Sequence, residues 1–230
     1  MCGIVGGIQG DNISPFLIEG LKRLEYRGYD SAGMSIVSDS GKLACLKEVG
    51  KVQNLEDAAN LLDLSGRCGI AHTRWATHGK VTKLNAHPHI AKDRVVVVHN
   101  GIIDDFESHR YALQKVGVAL CSETDSEVIP HLVLNHLENG ASLTEAVRLA
   151  SSQLQGNYSF AAIDVLNPTN IVVVRKGCPL VIGLSDEGIY FGSDTLALVH
   201  RADRALFLQD GDIATLSQNE VSIIDQRGRP

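Results

Sequence analysis

The sequence predicts an α+β fold, and three observations carry that reading. The first half of the 230-residue chain alternates short apolar runs with amphipathic stretches. The middle holds three consecutive stretches with helical periodicity. From residue 158 onward, short apolar runs follow one another, separated by Gly, Asn, Asp and Pro, the pattern of mostly antiparallel strands. Strand-rich ends around a helical middle imply sheets covered by helices. No repeat, low-complexity tract or Pro/Gly/Ser-rich linker divides the chain, so residues 1–230 are expected to form one continuous domain, long enough to bury a sizeable core.

The elements can be justified in order. "CGIVGGI" is short, apolar and punctuated by glycine, as a buried strand is. In "SPFLIEGLKRLEYRG", Ser14 can cap a helix, Pro15 suits its first turn and Gly28 can end it. Phe16, Leu17, Leu21 and Leu24 then fall on one face. "AGMSIVS" and "CLKEVGKV" read as the next strands and "NLEDAANLL" as a short helix. "GIAHTRW" and "RVVVVHNGI" are strands, the second rich in β-branched residues. "DDFESHRYALQKVG", "SEVIPHLVLNHLENG" and "SLTEAVRLASSQLQG" are helices. Pro130 falls early in the second of them, where its missing N–H costs little. Ser142 and Glu145 in the third have capping-box spacing. "YSFAAIDV", "NIVVVRKG", "PLVIGLS", "GIYFGSD", "ALFLQDGDIATLS" and "VSIID" complete the strands.

Composition excludes several functions. Hydrophobic residues are 44% and charged residues 21%, near the globular average, which excludes a disordered chain. A net charge of -6 argues against a nucleic-acid binder. There is no 18-residue apolar run to span a membrane, and no basic segment followed by an apolar one to act as a secretory signal. Cysteines stand at 2, 45, 68, 121 and 178, an odd number without a C-x-x-C pair. Reduced thiols in a cytoplasmic protein fit this better than a disulfide framework. The apolar neighbours of Cys45, Cys68 and Cys121 predict inert core residues.

Five stretches can carry chemistry, and each has a plainer reading. Removal of Met1 would leave Cys2 with a thiol and a free α-amine on one residue. The amine, with a reference pKa of roughly 7.7–8.0, can take the thiol proton and later return one to a leaving amine. A cysteine at position 2 can also arise by chance. Arg27-Gly28-Tyr29-Asp30-Ser31 can place an arginine near a ligand carboxylate, or can simply end a helix. His72, Arg74, Trp75, Thr77 and His78 follow a strand into a Gly-marked loop, where Arg74 could grip a carboxylate bidentately. His72, His78, His87 and His89 are close in sequence, but they match no zinc spacing and no acidic residue lies among them, so no metal is expected. Asn100 and Gly101 can supply two donors to one oxyanion, or form a turn that breaks the strand. Asp125 can bind an ammonium group or cap a helix.

Taken in this order, C-G-I-V-G, Y-R-G-Y-D-S-A-G, H-T-R-W-A-T-H-G, N-A-H-P-H, H-N-G-I-I and S-E-T-D resemble the class II glutamine amidotransferases, which are N-terminal-nucleophile hydrolases. The resemblance covers the whole chain. The tyrosines flanking Arg27-Gly28, with Trp75 in H-T-R-W, resemble most the glutaminase domains of glutamine–fructose-6-phosphate aminotransferases. It implies a four-layer αββα sandwich. It also implies Cys2 as nucleophile, Asn100 and Gly101 as the oxyanion hole, and Arg27 beside the nucleophile. Arg74, helped by Thr77 and His78, would hold the α-carboxylate of L-glutamine, Asp125 its α-ammonium, and Trp75 would belong to a loop closing over it. The implied reaction is hydrolysis of glutamine through a γ-glutamyl thioester, without a cofactor. The ammonia would go to sugar-isomerase-type C-terminal domains that lie outside this chain and convert fructose 6-phosphate to glucosamine 6-phosphate, in a homo-oligomer. Another synthase of the class, or a non-catalytic domain if Met1 is retained, are the alternatives.

Overall fold

The structure, a computed structural model, describes residues 2–38, 40–62 and 64–230. Met1, and with it the question of whether it is retained, lies outside the described residues, as do Asp39 and Asp63. In chain order the elements are β1 (Gly3–Gln9), α1 (Ser14–Leu24), β2 (Ser31–Val37), β3 (Leu43–Val49), α2 (Val52–Ala59), β4 (Cys68–Arg74), β5 (His89–Ala91), β6 (Val95–Ile103) and α3 (Phe106–Lys115). They continue with α4 (Val128–Glu138), α5 (Leu143–Gln153), β7 (Gly156–Asp164), β8 (Ile171–Lys176), β9 (Val181–Leu184), β10 (Gly188–Gly192), β11 (Arg204–Phe207), β12 (Ile213–Leu216) and β13 (Val221–Ile224).

The strands form a seven-stranded sheet, ordered β11-β9-β10-β1-β4-β2-β3, and a six-stranded one, ordered β13-β12-β8-β7-β6-β5. Ile4, Ile8, Ile70 and Phe191 of the first sheet pack against Val96, Val98, Ala161, Ile163 and Val173 of the second. The outer face of the first sheet, with Val5, Met34, Ala71 and Tyr190, buries Phe16, Leu17, Leu21 and Leu24 of α1 and Val52 and Leu55 of α2. The outer face of the second, with Val95, Val97, Phe160 and Val172, is covered by α4 and α5 through Val133, Leu137, Val147 and Ala150. The layers are therefore α–β–β–α, as the resemblance implies. The two-residue period of a strand explains the Val95–Val98 run. Alternate valines face the two cores, and each such burial contributes about 1.5–3 kcal/mol.

Local signals held in most places. Ser142 Oγ accepts the Glu145 N–H at 3.3 Å, the expected cap of α5. Others require correction. Ser14 does not cap α1, because it is the first helical residue. Asn12 Oδ1 accepts its N–H instead, at 3.1 Å. "ALFLQDGDIATLS" is not one strand: it contributes β11 to the first sheet and β12 to the second, and Asp210 and Gly211 turn the chain between them. Asn100 and Gly101 do not break their strand, for β6 continues to Ile103. Only Cys68 of the three cysteines assigned to the core is buried; Cys45 on edge strand β3 and Cys121 in the loop after α3 are exposed. Apolar neighbours in sequence do not bury a residue at a sheet edge or in a loop.

Candidate functional site

The site lies at one end of the sandwich, where the inner faces of three strands change from apolar to polar. Along β4, Cys68 and Ile70 face the core between the sheets, and the same two-residue step continues to His72 and Arg74. Along β6, Val96 and Val98 lead to Asn100. Along β1, Ile8 and Ile4 lead back to Cys2. The β1–β4 register pairs Gly3 with Thr73, which sets Cys2 beside Arg74 and Trp75.

The Cys2 thiol touches the Trp75 backbone. The Trp75 N–H donates to Sγ at 3.2 Å, and Sγ lies 3.5 Å from the Trp75 carbonyl. Burial raises the thiol pKa above its ordinary value, while the Trp75 N–H opposes the shift. The Cys2 carbonyl is held by two donors, Arg27 Nε at 3.0 Å and Asn100 Nδ2 at 3.1 Å. Arg27 is carried on the short turn after α1, with Nη1 3.5 Å from Asp194. Tyr26 donates its hydroxyl to the same carboxylate at 2.7 Å. Gly28 lets this turn approach β4, since a Cβ there would stand 2.8 Å from the Arg74 carbonyl and 2.9 Å from Trp75 N.

Gly101 has φ +117, and a Cβ on it would collide with the Asn157 carbonyl. The Asp104 N–H bonds to the Gln155 carbonyl at 2.9 Å, continuing the β6–β7 register. The alternation of an antiparallel ladder then puts even-numbered residues of β6 in hydrogen bonds with β7. The Gly101 N–H thus points to the other edge, as does that of Ile103, which donates to Asp125 Oδ2 at 2.9 Å. Asp125 opens a short turn before α4 and is 3% exposed. Its carboxylate serves β6 across the site rather than capping its own helix. Asp125 Oδ1 is 4.0 Å from His78 Nδ1.

Arg74 is 3% exposed. Its guanidinium donates to the carbonyls of His78, Gly79 and Lys80 and so shapes the following loop. The indole of Trp75 is half exposed and meets Tyr29 edge to face, with ring centroids 6.1 Å apart. Thr77 is exposed and His78 half-buried against Phe106. Cys2, Arg74, Trp75, Thr77, His78, Gly101 and Asp125 line one cavity of about 20 Å³. That volume holds roughly one water. A larger depression of about 660 Å³, lined by Lys47, Cys121, Glu127 and His131, lies apart from the thiol and its donors.

Two groups were named in the sequence without the contacts they make. Asp30 accepts the Ala76 N–H and the Ser31 hydroxyl, which fixes the chain just past Trp75. Its place in Y-R-G-Y-D-S was visible, but the bond spans 46 residues. His87 and His99 also line the cavity and are buried together with His72 and His89, the His87 ring centroid lying 4.0 Å from His72, 4.6 Å from His89 and 6.3 Å from His99. Burial lowers the pKa of all four, that of His72 to about 3. His99 Nδ1 bonds Ser126 Oγ at 2.7 Å, and His89 Nε2 bonds Thr124 Oγ1 at 3.0 Å. Among the described residues, no group of three or more His, Cys, Asp or Glu is disposed to hold a metal ion.

The chain is similar to known proteins. The glutamine–fructose-6-phosphate aminotransferase (isomerizing) of Pseudomonas aeruginosa is 49% identical over 228 residues, covering 99% of this chain and 37% of that protein. The enzyme of the same name from Vibrio cholerae is 45% identical, covering 100% and 38%. The chain thus spans little more than a third of the length of these curated relatives. Among solved structures, the glutamine phosphoribosylpyrophosphate amidotransferase of B. subtilis has the same fold, with a TM-score of 0.83 at 22% identity over 98% of this chain and 49% of that one. Residues 72–200, more than half of the chain, match the glutamine amidotransferase domain family. The chain therefore belongs to the glutamine amidotransferase domain family.

Proposed function

We propose that this chain hydrolyses L-glutamine to glutamate and ammonia through a γ-glutamyl thioester on Cys2. One observation carries the proposal: a thiol, an arginine and a carboxylate line a single cavity, with Gly101 in its wall and Asn100 on the nucleophile's own carbonyl. Because burial raises the thiol pKa, the sulfur is protonated near neutrality and needs a base at the moment of attack. The α-amine of Cys2, freed by removal of Met1, is the base. It takes the thiol proton as sulfur bonds to the side-chain amide carbon. The carbonyl electrons move to oxygen, which receives the second Asn100 Nδ2–H and the Gly101 N–H. Collapse breaks the C–N bond, the α-ammonium returns the proton and ammonia leaves. Water then hydrolyses the thioester, releasing glutamate and restoring the thiol.

The grips follow from charge. Asp125 takes the α-ammonium and Arg74, with Thr77 and His78, the α-carboxylate. Arg27 holds the Cys2 carbonyl and so orients the nucleophile. Glutamate would bring a negative charge to the amide end, and asparagine would fall a methylene short of sulfur. A cavity of about 20 Å³ is too small for an amino acid, so the segment from Trp75 to Gly79 moves to admit glutamine. In a longer chain resembling the relatives above, the ammonia would pass to C-terminal domains, in a homo-oligomer, that convert fructose 6-phosphate to glucosamine 6-phosphate. The identity to those relatives supports this further step.

Glutamate release from glutamine tests the proposal. The chain with Cys2 at its N-terminus is expected to be active, Cys2→Ala to be inactive with an unchanged melting temperature, and the chain retaining Met1 to be inactive. Activity in Cys2→Ala would overturn the assignment.

A further inference from the structure

We propose that His72 is a positioning residue for the oxyanion hole, its Nε2–H locking the Asn100 amide so that Nδ2 faces the reacting carbonyl. The proposal rests on the reading of Asn100 as an oxyanion donor.

The geometry fixes hydrogens that coordinates alone leave open. His72 Nε2 lies 2.9 Å from the His99 backbone carbonyl and 3.0 Å from Asn100 Oδ1. The backbone oxygen can only accept, so Nε2 must carry the proton. His72 is fully buried and neutral, since its pKa is lowered to about 3 by desolvation. Its single proton therefore sits on Nε2, shared between the two oxygens, and Nδ1 is bare. Nδ1 has no hydrogen-bond partner, which suits a nitrogen with no proton to place. At the other end of the Asn100 amide, Nδ2 donates to the Cys2 carbonyl at 3.1 Å, again an oxygen that can only accept. Two backbone carbonyls thus determine the amide orientation independently and agree. A flipped Asn100 would set its NH2 group against the His72 N–H and its oxygen against the Cys2 oxygen.

Catalysis needs the orientation kept while Nδ2, already donating to the Cys2 carbonyl, also meets the developing oxyanion. The donor end of the amide is then engaged in the reaction, and the acceptor end is the one left to anchor it. His72 holds that end. It stands on β4, is paired with Ile4 of β1 and Gly33 of β2, and is wedged against His87 with ring centroids 4.0 Å apart. It touches neither substrate nor sulfur, and its effect passes through Asn100.

The test is glutamine hydrolysis by His72→Phe, His72→Gln, Asn100→Ala and the double variant His72→Phe/Asn100→Ala. His72→Phe keeps the ring's bulk and removes the donor. It is expected to lower kcat by about 10–100-fold, less than the ~10²–10³-fold of losing an oxyanion donor outright, with KM within twofold. His72→Gln, which restores an N–H, should regain most of the rate. In the Asn100→Ala background, His72→Phe should cost less than twofold. A merely structural histidine would cost the same factor in both backgrounds, and that result, or an unchanged kcat in His72→Phe, overturns the proposal. Should Asn100→Ala itself keep full kcat, the oxyanion reading fails instead. Nitrogen NMR of the wild-type chain provides a check independent of variant folding: a proton on His72 Nε2 is expected, and one on Nδ1 would overturn the proposal.

Discussion

In the proposed reaction the two sheets would supply opposite halves of the chemistry. The seven-stranded sheet holds the thiol of Cys2, just ahead of β1, and, on β4, the cation of Arg74. The six-stranded sheet brings the donors that would stabilise a developing oxyanion, Asn100 and Gly101, and holds Asp125 through the Ile103 N–H. Near the site the halves are joined by the segment that leaves β4 after Arg74 and enters β5 at His89, whose Trp75, Thr77, His78 and His87 line the cavity. The spacing of the halves is set by the apolar layer between the sheets, in which Ile4 stands two residues from Cys2 and Val98 two residues from Asn100. The reacting geometry is thus a property of sheet-on-sheet packing, whereas the helix-covered outer faces supply stability without touching the site.

The largest effects should come from removing one member of each half. Cys2→Ala removes the covalent step and all turnover. Asn100→Ala leaves the nucleophile in place and should lower kcat by about 10²–10³-fold with KM little changed. Steady-state kinetics of the two variants check this, and a rise in KM alone for Asn100→Ala would mean that the second sheet binds substrate and does not stabilise charge.

A cavity made between the sheets should be felt twice, and one made under a helix once. Ile4 and Leu17 are both fully buried, Ile4 in the inter-sheet core and Leu17 under α1. Truncation of either to alanine should cost about 2–5 kcal/mol of stability. Ile4→Ala should also lower kcat, because the loosened layer carries Cys2 relative to Asn100, and a shift of about 1 Å can cost ~10²-fold in rate. Leu17→Ala should leave kcat within twofold at a temperature where both variants are folded. Denaturant melts paired with kinetics separate the cases. Equal rate losses would show that the spacing of the sheets does not set the geometry.

The same division explains what could be read from the sequence. The α+β class and most strands were legible because alternation and turn residues are local signals, as in the Val95–Val98 run, whereas the αββα layer order came from the family resemblance. The site residues were legible as types in motifs that sit at strand ends and glycine turns. What escaped depends on pairs distant in the chain. His72 meets Asn100 across 28 residues and Asp30 meets Ala76 across 46. Arg27 reaches Asp194 over a longer span still. The sequence placed His72 at the end of a strand, but no local rule says what a polar residue there will meet. The split of "ALFLQDGDIATLS" between sheets failed for a related reason. Asp-Gly between apolar runs signals a hairpin, and only the assembled fold shows that the two strands part.

The smallest effect concerns the buried histidines, and it shows what the site's polar wall costs the sandwich. In the unfolded chain each histidine takes up a proton below about pH 6.5. In the folded chain burial keeps His87 neutral well below that pH, and His72 neutral to about 3. As pH falls from 7 to 5 the unfolded state therefore binds more protons than the folded one, and stability declines. The slope approaches about 1.4 kcal/mol per pH unit for each such histidine below pH 6.5. Carboxylates with lowered pKa, such as Asp194, act in the same direction, but only as pH falls below their unfolded values near 4, so the window from 6.5 to 5 isolates the histidines. His87 offers the cleanest test, since neither ring nitrogen has a hydrogen-bond partner. His87→Phe keeps the volume and removes the proton acceptor, and should flatten the decline between pH 6.5 and 5 by about 2 kcal/mol in total. Urea melts at pH 7, 6 and 5 measure it. An unchanged pH dependence would mean that His87 is charged in the folded protein, and that its buried neighbours His72, His89 and His99, with Asp125 beside His99, accommodate that charge.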